Sequence, residues 1–226
     1  MSMLSLLRTV GWVIAIVLST VPLFWLLVHP WAEYWRSRRG ARFRILGPLW
    51  VVMWLAVGMI TWPWRHVVFY DNALSWLAAA PFFAAGLYLY YRGRVSFSYA
   101  QLVGRPEVQG DKFEQRLVTS GIRARVRHPV YAGHLCELIG WSLGTGLAVI
   151  YVLTGFAILT GAVMIRMEDD ELERRFGEPY RQYRQTTPAV VPHWHSSRDP
   201  STRAPNLALS EAEGTSALAQ DDNGSR

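Results

Sequence analysis

Three long apolar stretches, separated by an arginine-rich segment and a short loop, occupy most of the first 91 residues of the chain. Residues 10–28 hold no charged side chain over 19 positions, close to the roughly 20 residues that a helix needs to cross a bilayer. Residues 45–62 and 73–91 repeat the pattern, and tryptophan and tyrosine gather at the ends of the stretches, where the membrane interface favours them. We therefore predict a three-span membrane anchor region over residues 1–91.

A cleaved signal peptide is the alternative interpretation of the first stretch. The apolar run is longer than the roughly 7–15 residues usual for the core of such a peptide, and no A-x-A-like cleavage site follows it. A retained membrane span is therefore the preferred interpretation.

A further apolar stretch covers residues 130–165, where only His134 and Glu137 are ionisable. It is too long for one span, and Gly144, Thr145 and Gly146 lie near its middle, where glycines favour a turn. We predict a hairpin of two helices over residues 130–143 and 147–165. A re-entrant hairpin buried in the protein is the alternative.

The distribution of arginines predicts how the chain is oriented. Residues 36–44 carry five arginines, the loop over 62–72 carries one, and residues 92–127 carry seven with Lys112. Because basic loops stay on the cytoplasmic side, the N-terminus is expected outside and both the 92–127 loop and the C-terminus inside. The predicted fold is an all-α polytopic membrane protein with about five transmembrane helices and a cytoplasmic C-terminal helix.

The segment after the hairpin is strongly charged and then becomes polar. Residues 168–184 are predicted to form a charged helix on the membrane surface, interrupted near Gly177. We group this helix with the hairpin as one region over residues 128–195. Residues 196–226 show no apolar periodicity and are predicted to be a disordered tail.

Composition narrows the possible classes of protein. With 51% hydrophobic residues the chain can bury ample apolar surface, which excludes a disordered chain. A single cysteine, Cys136, excludes a disulfide scaffold. The net charge of +6 follows from 22 arginines that set topology, so no nucleic-acid partner is expected. The absence of paired cysteines and the compact chain suit a bacterial inner membrane.

Three polar motifs converge where the hairpin begins and ends. The first is R-H-P-V-Y at residues 127–131, in which Pro129 suits a first helical turn and His128 is held extended. The second is the acidic run at residues 168–171, and the third is F-G-E-P-Y-R-Q-Y at residues 176–183. Each also has a structural explanation, namely a helix start with a snorkelling arginine, a solvated helix face and an interfacial aromatic anchor.

Together and in this order, the motifs resemble the isoprenylcysteine carboxyl methyltransferase family and its relatives, the phospholipid methyltransferases. The family pattern begins with R-H-P-x-Y-x-G, which this chain has as R-H-P-V-Y-A-G, and a helical hairpin follows in both. The pattern then has E-E-x-x-L-x-x-x-F-G-x-x-Y-x-x-Y, which this chain has as E-D-D-E-L-E-R-R-F-G-E-P-Y-R-Q-Y. It ends in a proline, here Pro192. The resemblance covers roughly residues 117–192. The chain departs from it at Asp169, where the family usually has a second glutamate.

The resemblance implies an integral-membrane enzyme that uses S-adenosylmethionine without a Rossmann sheet, and the chain indeed lacks a strand–G-x-G-x-x-G–helix pattern. It implies a cofactor site at the cytoplasmic end of the hairpin, covered by the C-terminal helix. The implied catalytic residues are Arg127, Arg166 and Glu168. The implied cofactor-binding residues are His128, Pro129, Tyr131, Glu168, Asp169, Tyr180 and Tyr183.

The remaining ionisable residues have weaker assignments. His134 and Glu137 lie three residues apart on one helix face and are expected either to pair with each other or to line the acceptor route. His193 and His195 form too small a ligand set for a metal site, so no metal is expected.

The methyl acceptor cannot be read from the residues. The expected partners are membrane lipids and a lipophilic or small-molecule acceptor. Isoprenylcysteine-carboxylate-like O-methylation is the leading family analogy, and phospholipid N-methylation or thiol S-methylation is the alternative. A non-catalytic lipid-binding membrane scaffold is the alternative from another class.

Overall fold

The computed structural model describes residues 2–31, 34, 41–95 and 117–192, and at residues 41–43 and 94–95 it describes the backbone only. Within these ranges the chain forms six α-helices and three short 3-10 turns. The helices are α1 (Met3–Val28), α2 (Ala41–Thr61), α3 (Ser75–Val95), α4 (Pro129–Thr145), α5 (Ala148–Phe176) and α6 (Glu178–Thr186). The 3-10 turns are His29–Trp31, Trp62–Trp64 and Gly121–Ala124. The described residues hold one isolated bridge, Val68 with Leu147, and no strand, which confirms the all-helical class.

Three of the described helical segments are long and apolar enough to cross a membrane. They are Met3–Trp31, Arg44–Trp64 and Ala148–Phe176. By contrast, α4 has 17 residues, fewer than the roughly 20 of an upright span. The chain is therefore an integral-membrane helical protein with three candidate spanning helices among its described residues.

Helix α5 differs from its predicted length. The expected span over 147–165 and the expected charged helix after it are one continuous helix that ends only at Phe176. The break comes at Gly177, whose φ is +64°, and Pro179 then starts α6. The interruption near Gly177 is thus confirmed, while the acidic run turns out to be part of the hairpin's second helix.

The turn between α4 and α5 is built around one glycine. Gly146 ends α4 with a left-handed backbone at φ +66°. A Cβ atom added there would lie 2.6 Å from the carbonyl oxygen of Tyr70. The predicted helical hairpin is confirmed, and its turn is packed against the segment that precedes α3.

Aromatic side chains of α3 pack onto glycines of α4. The aromatic residues are spaced seven apart, and each approaches a Cβ position on α4 to within 2.9 Å or less. The pairs are Trp76 with Gly144, Phe83 with Gly140, and Tyr90 with Gly133. Since glycine presents no side chain, the two helices approach closely along their whole contact.

A buried apolar cluster joins α1 to the hairpin. Its buried members are Trp12, Ala15, Ile16, Leu138, Leu147, Val149, Ile150, Leu153 and Ala157. Helix α2 packs on the outer side of α1, where the Trp12 indole donates to Thr61 Oγ1 at 3.0 Å. In this arrangement α1, α4 and α5 form the centre of the bundle.

Polar contacts fasten the hairpin turn to two other segments. Arg8, near the start of α1, donates to the Thr145 carbonyl at 3.1 Å and to Asp71 Oδ1 at 3.0 Å. The Tyr70 hydroxyl donates to the Leu143 carbonyl at 2.7 Å, and Phe69 N–H donates to the Gly146 carbonyl at 2.8 Å. The start of α1, the α2–α3 connection and the hairpin turn therefore lie together at one end of the bundle.

Two predicted regions are described only in part. The first residues of the expected loop over 92–127 belong to the end of α3, and residues 117–127 contain the turn Gly121–Ala124. Residues 96–116, the histidines at 193 and 195, and the predicted tail over 196–226 lie outside the described residues.

Candidate active site at the end of the helical hairpin

The hairpin brings its two polar ends together. His128 stands at the N-cap of α4, immediately before Pro129, and Glu168 and Asp169 lie near the end of α5. Arg127, His128 and Asp169 are all buried, with exposures of 8%, 5% and 3%. The expected convergence of these motifs is present in the structure.

Arg127 is held by groups of the protein itself. Its Nη2 lies 2.6 Å from Asp169 Oδ2, and its Nε donates to Asp169 Oδ1 at 3.3 Å, so the pair is bidentate. Its Nη1 donates to the carbonyl oxygens of Arg184, at 3.0 Å, and Thr187. Four of the five guanidinium N–H groups therefore have protein acceptors. The geometry makes Arg127 a clamp between α5 and the end of α6.

His128 lies between two carboxylates. Its Nε2 is 3.1 Å from Asp169 Oδ1, and its Nδ1 is 3.3 Å from Glu168 Oε2. Burial alone would lower the pKa of His128, but the nearby Glu168 carboxylate and the hydrogen bond with Asp169 outweigh it and raise the pKa to about 9. The ring is therefore a cation at neutral pH, with both nitrogens protonated.

Asp169 is the residue on which most of these contacts meet. Besides Arg127 and His128, it accepts a hydrogen bond from the hydroxyl of Tyr180, a residue only 1% exposed. Burial first, and then this contact with Asp169, raise the pKa of the Tyr180 hydroxyl. The position at which the chain departs from the family pattern is thus the centre of the buried network.

Glu168 is less fully satisfied than Asp169. Its side chain is 22% exposed, yet its Oε2 atom is buried and has no hydrogen-bond partner among the described residues. The contact with His128 Nδ1 at 3.3 Å is an ion pair without hydrogen-bond geometry. A buried carboxylate oxygen normally has a donor, so Glu168 is the acceptor best suited to a ligand.

The segment that includes α6 and residues 187–189 covers the network. The backbone N–H groups of Arg127 and His128 donate to the carbonyls of Pro188 and Ala189, each at 2.9 Å. The Tyr183 hydroxyl donates to the Arg123 carbonyl at 2.7 Å, and burial raises its pKa to about 12. The C-terminal helix therefore lies over the start of α4.

The other predicted tyrosine and arginine occupy different surroundings. Tyr131 is half-buried, with its ring centroid 5.8 Å from that of His128 and 6.3 Å from that of His134. Arg166 is exposed on α5, away from the buried network. Of the three predicted tyrosines, Tyr131 alone keeps a partly accessible ring, because Tyr180 and Tyr183 are buried.

The two ionisable residues inside the hairpin do not satisfy each other. His134 Nδ1 lies 2.8 Å from the carbonyl oxygen of Val130, so this nitrogen is satisfied within its own helix. Glu137 lies against α3, and a Cβ atom added at Gly86 would be 2.9 Å from its Oε1. No group of three or more metal-ligating side chains occurs among the described residues.

Some residues near the site were not foreseen from the sequence. His29, at the end of α1, lies with Nδ1 2.7 Å from Glu171 Oε2, and both residues are buried. Arg184 on α6 binds Asp170 at 3.0 Å and Glu173 at 3.1 Å. The available signal for His29 was an ionisable residue at the C-terminal end of an otherwise apolar span.

The fold and the buried cluster define a helical membrane protein with a polar site at one end of a hairpin. A family model described as phospholipid methyltransferase matches residues 76–179. This match supports a membrane methyltransferase and confirms the resemblance seen in the motifs. Neither a curated protein nor a solved structure matches the chain.

The limits of the match bear on the site. It begins at Trp76, so α3 falls within the family region although the motifs alone covered only about residues 117–192. It includes Arg127, His128, Glu168 and Asp169 and ends at Pro179, before Tyr180. Helices α1 and α2 lie outside it.

Proposed function

We propose that this protein transfers a methyl group from S-adenosylmethionine to a lipophilic or small acceptor at the cytoplasmic side of the membrane. The observation that carries the proposal is the buried Oε2 atom of Glu168, which lacks a hydrogen-bond donor among the described residues and stands beside the cationic His128. Both residues lie within the methyltransferase family match.

The residues at this end of the hairpin fit the cofactor. Glu168 can accept hydrogen bonds from a ribose diol or from the methionyl ammonium, which supply the donors that its buried oxygen lacks. The cationic His128 and the first backbone N–H groups of α4, which starts at Pro129, suit the methionyl carboxylate. The half-buried ring of Tyr131 is the best placed to meet adenine or the sulfonium.

Positioning and exclusion of water are the contributions that we assign to the protein. When bound, S-adenosylmethionine supplies an activated methyl group with a neutral leaving group. Arg127, Asp169 and Tyr180 hold His128 in one orientation, and α6 with residues 187–189 keeps water from the backbone of Arg127 and His128. An anionic acceptor needs no general base, so orientation accounts for most of the expected rate.

The acceptor is proposed to reach the site along α3 and α4. His134 and Glu137 line this route in the proposal, and Arg166, exposed on α5, orients an anionic acceptor group. Methylation of an isoprenylcysteine-like carboxylate remains the leading analogy. The description of the matching family favours a phospholipid amine as the second candidate.

We further propose five membrane-spanning helices, with the N-terminus outside and the C-terminus cytoplasmic, in a bacterial inner membrane. The contacts of Arg8 with Asp71 and Thr145 support this arrangement. They join the start of α1, the α2–α3 connection and the hairpin turn, which all belong to the external side in a five-span chain. Residues 128–195 form the catalytic region in this proposal.

Calorimetry with purified protein in detergent tests the cofactor assignment. We expect S-adenosylhomocysteine to bind the wild type and Glu168→Gln to weaken that affinity at least tenfold. Glu178→Gln is the matched control, because Glu178 is an exposed acid paired with Arg181 on α6. A wild type without binding refutes the proposal, and lipid binding that is insensitive to Glu168 and His128 would indicate a membrane scaffold instead.

Product analysis tests the acceptor. Membranes that contain the protein are incubated with methyl-labelled S-adenosylmethionine, and the labelled product is identified by mass spectrometry. A labelled carboxylate ester supports the leading analogy, a labelled phospholipid amine supports the second candidate, and a labelled thiol points to S-methylation. Label that is independent of Glu168 would count against the site.

A further inference from the structure

A buried polar contact connects the first helix to the end of α5. His29 belongs to the 3-10 turn that follows α1, and this turn packs directly against α5. Its Nδ1 lies 2.7 Å from Glu171 Oε2, and the side chains are 4% and 11% exposed. The carboxylate can only accept, so the imidazole donates in this hydrogen bond.

An aromatic ring packs close to the His29 imidazole. The Trp25 ring centroid is 5.4 Å from that of His29, and Trp25 also packs with Phe24 against the buried Val28 and Leu46. A polar group in such surroundings costs free energy unless it is paired. The His29–Glu171 contact is therefore directional and fixes where α1 meets α5.

Glu171 lies close to the proposed cofactor residues along the helix. It follows Glu168 by three positions, so the two carboxylates project from the same face of α5. Asp169, the centre of the buried network, lies between them in sequence. A contact that holds Glu171 thus also sets the rotation and axial position of the turn that carries Glu168.

We propose that His29 is a positioning residue of the cofactor site, which it serves by holding Glu171 and with it the Glu168 turn of α5. The inference rests on the proposed function. His29 lies outside the matched residues 76–179, so the first helix contributes to a site that the family match alone does not connect with it. In this arrangement α1 is more than a membrane anchor.

Calorimetry with S-adenosylhomocysteine in detergent, combined with thermal unfolding, tests the inference. His29→Leu removes the donor and should weaken the affinity about tenfold and lower the melting temperature. His29→Asn keeps an N–H donor near the position of Nδ1 and should retain affinity within about threefold of the wild type. This rescue separates the hydrogen bond from the volume of the side chain.

The double variant His29→Leu/Glu171→Leu separates positioning from stability. Replacing both partners by apolar groups also removes the buried carboxylate that His29→Leu deprives of its imidazole donor, so the melting temperature should recover relative to His29→Leu. The affinity should stay about tenfold low, because the directional contact is still missing. Arg8→Gln is the control, since it cuts a polar contact of α1 at the opposite end of the bundle and should lower stability alone.

The possible results lead to different conclusions. Normal affinity in His29→Leu, or recovery of affinity together with stability in the double variant, overturns the positioning role while leaving the cofactor assignment intact. An equal loss of affinity in Arg8→Gln overturns it as well, since general loosening of α1 would then suffice. Absence of binding by the wild type overturns the proposed function and this inference together.

Discussion

Raising the pH through the titration range of His128 is expected to destabilise the folded protein. Burial alone would lower the pKa of this imidazole, but the nearby Glu168 carboxylate and the hydrogen bond with Asp169 raise it from 6.5 to about 9. An unfolded chain keeps the ordinary value, so the folded state binds the proton more tightly. The stabilisation is therefore complete below about pH 6.5 and is lost as the pH rises through about 9.

The magnitude follows from the size of this shift. One pKa unit corresponds to about 1.4 kcal/mol, so the difference contributes roughly 3 kcal/mol at low pH. Solvent screens little of it, because His128 is only 5% exposed. In a chain of this length 1 kcal/mol moves the melting temperature by about 2–4 °C, which predicts a loss of roughly 6–12 °C on alkalinisation.

Thermal unfolding in detergent, followed by the fluorescence of the 11 tryptophans, measures this loss between about pH 6 and about pH 10. The control variant is His128→Gln, whose amide still donates towards Asp169 but does not titrate. The melting temperatures of wild type and variant should differ most at low pH and converge at high pH. Parallel profiles would refute the assignment of a cationic His128 held by two carboxylates.

Three further substitutions test the packing and the buried network, each by the melting temperature in detergent. Asp169→Asn leaves the buried Arg127 without its counterion, so the free energy of unfolding should fall by about 3–5 kcal/mol and S-adenosylhomocysteine binding should be lost. A variant that still binds would contradict the role of the buried network. Gly140→Leu should push α3 away from α4, since even a Cβ atom at this position lies 2.9 Å from Phe83, and should lower the free energy of unfolding by about 1–3 kcal/mol. Adding Phe83→Ala should partly restore that stability. Gly146→Ala should cost at least about 1–2 kcal/mol because φ is +66°, and unchanged stability would contradict that turn.

Much of the helical architecture was predictable because it depends on local properties of the chain. Apolar length indicated spanning segments, and glycines marked the turn that ends at Gly146. The continuation of α5 to Phe176 does not follow from apolar length, because the apolar stretch ends at residue 165. A helix continues through charged residues until a residue breaks it, here Gly177 with φ +64°.

The α3–α4 contact shows a different limit. The seven-residue spacing of Trp76, Phe83 and Tyr90 was visible in the sequence, but a ring near the end of a span, such as Tyr90, also suits a membrane interface. The partner helix shows that these rings serve helix packing, because each ring lies on a glycine of α4. The role of a row of aromatic residues in packing therefore depends on which residues of the neighbouring helix face it.

Within the site, sequence reasoning identified the motifs but not how their donors are used. Spacing across a hairpin sufficed to bring His128 and Glu168 together. The role of Arg127 depended on which acceptors surround the guanidinium, and these come from Asp169 and from the carbonyls at the end of α6. No local pattern encodes such pairing, because its partners are 42 to 60 residues away in sequence.

The charge balance of the cluster explains why Glu168 and Asp169, though adjacent, have different environments. Two cations, Arg127 and His128, stand among two carboxylates, but both cations bind Asp169 directly. Of these two cations, Glu168 contacts only His128, at 3.3 Å and without hydrogen-bond geometry. Its buried oxygen is therefore the least neutralised acceptor of the four-residue cluster, and a ligand that brings hydroxyl donors or positive charge gains most at this point. The shorter side chain at Asp169 fits the same division, because its carboxylate binds Arg127 directly.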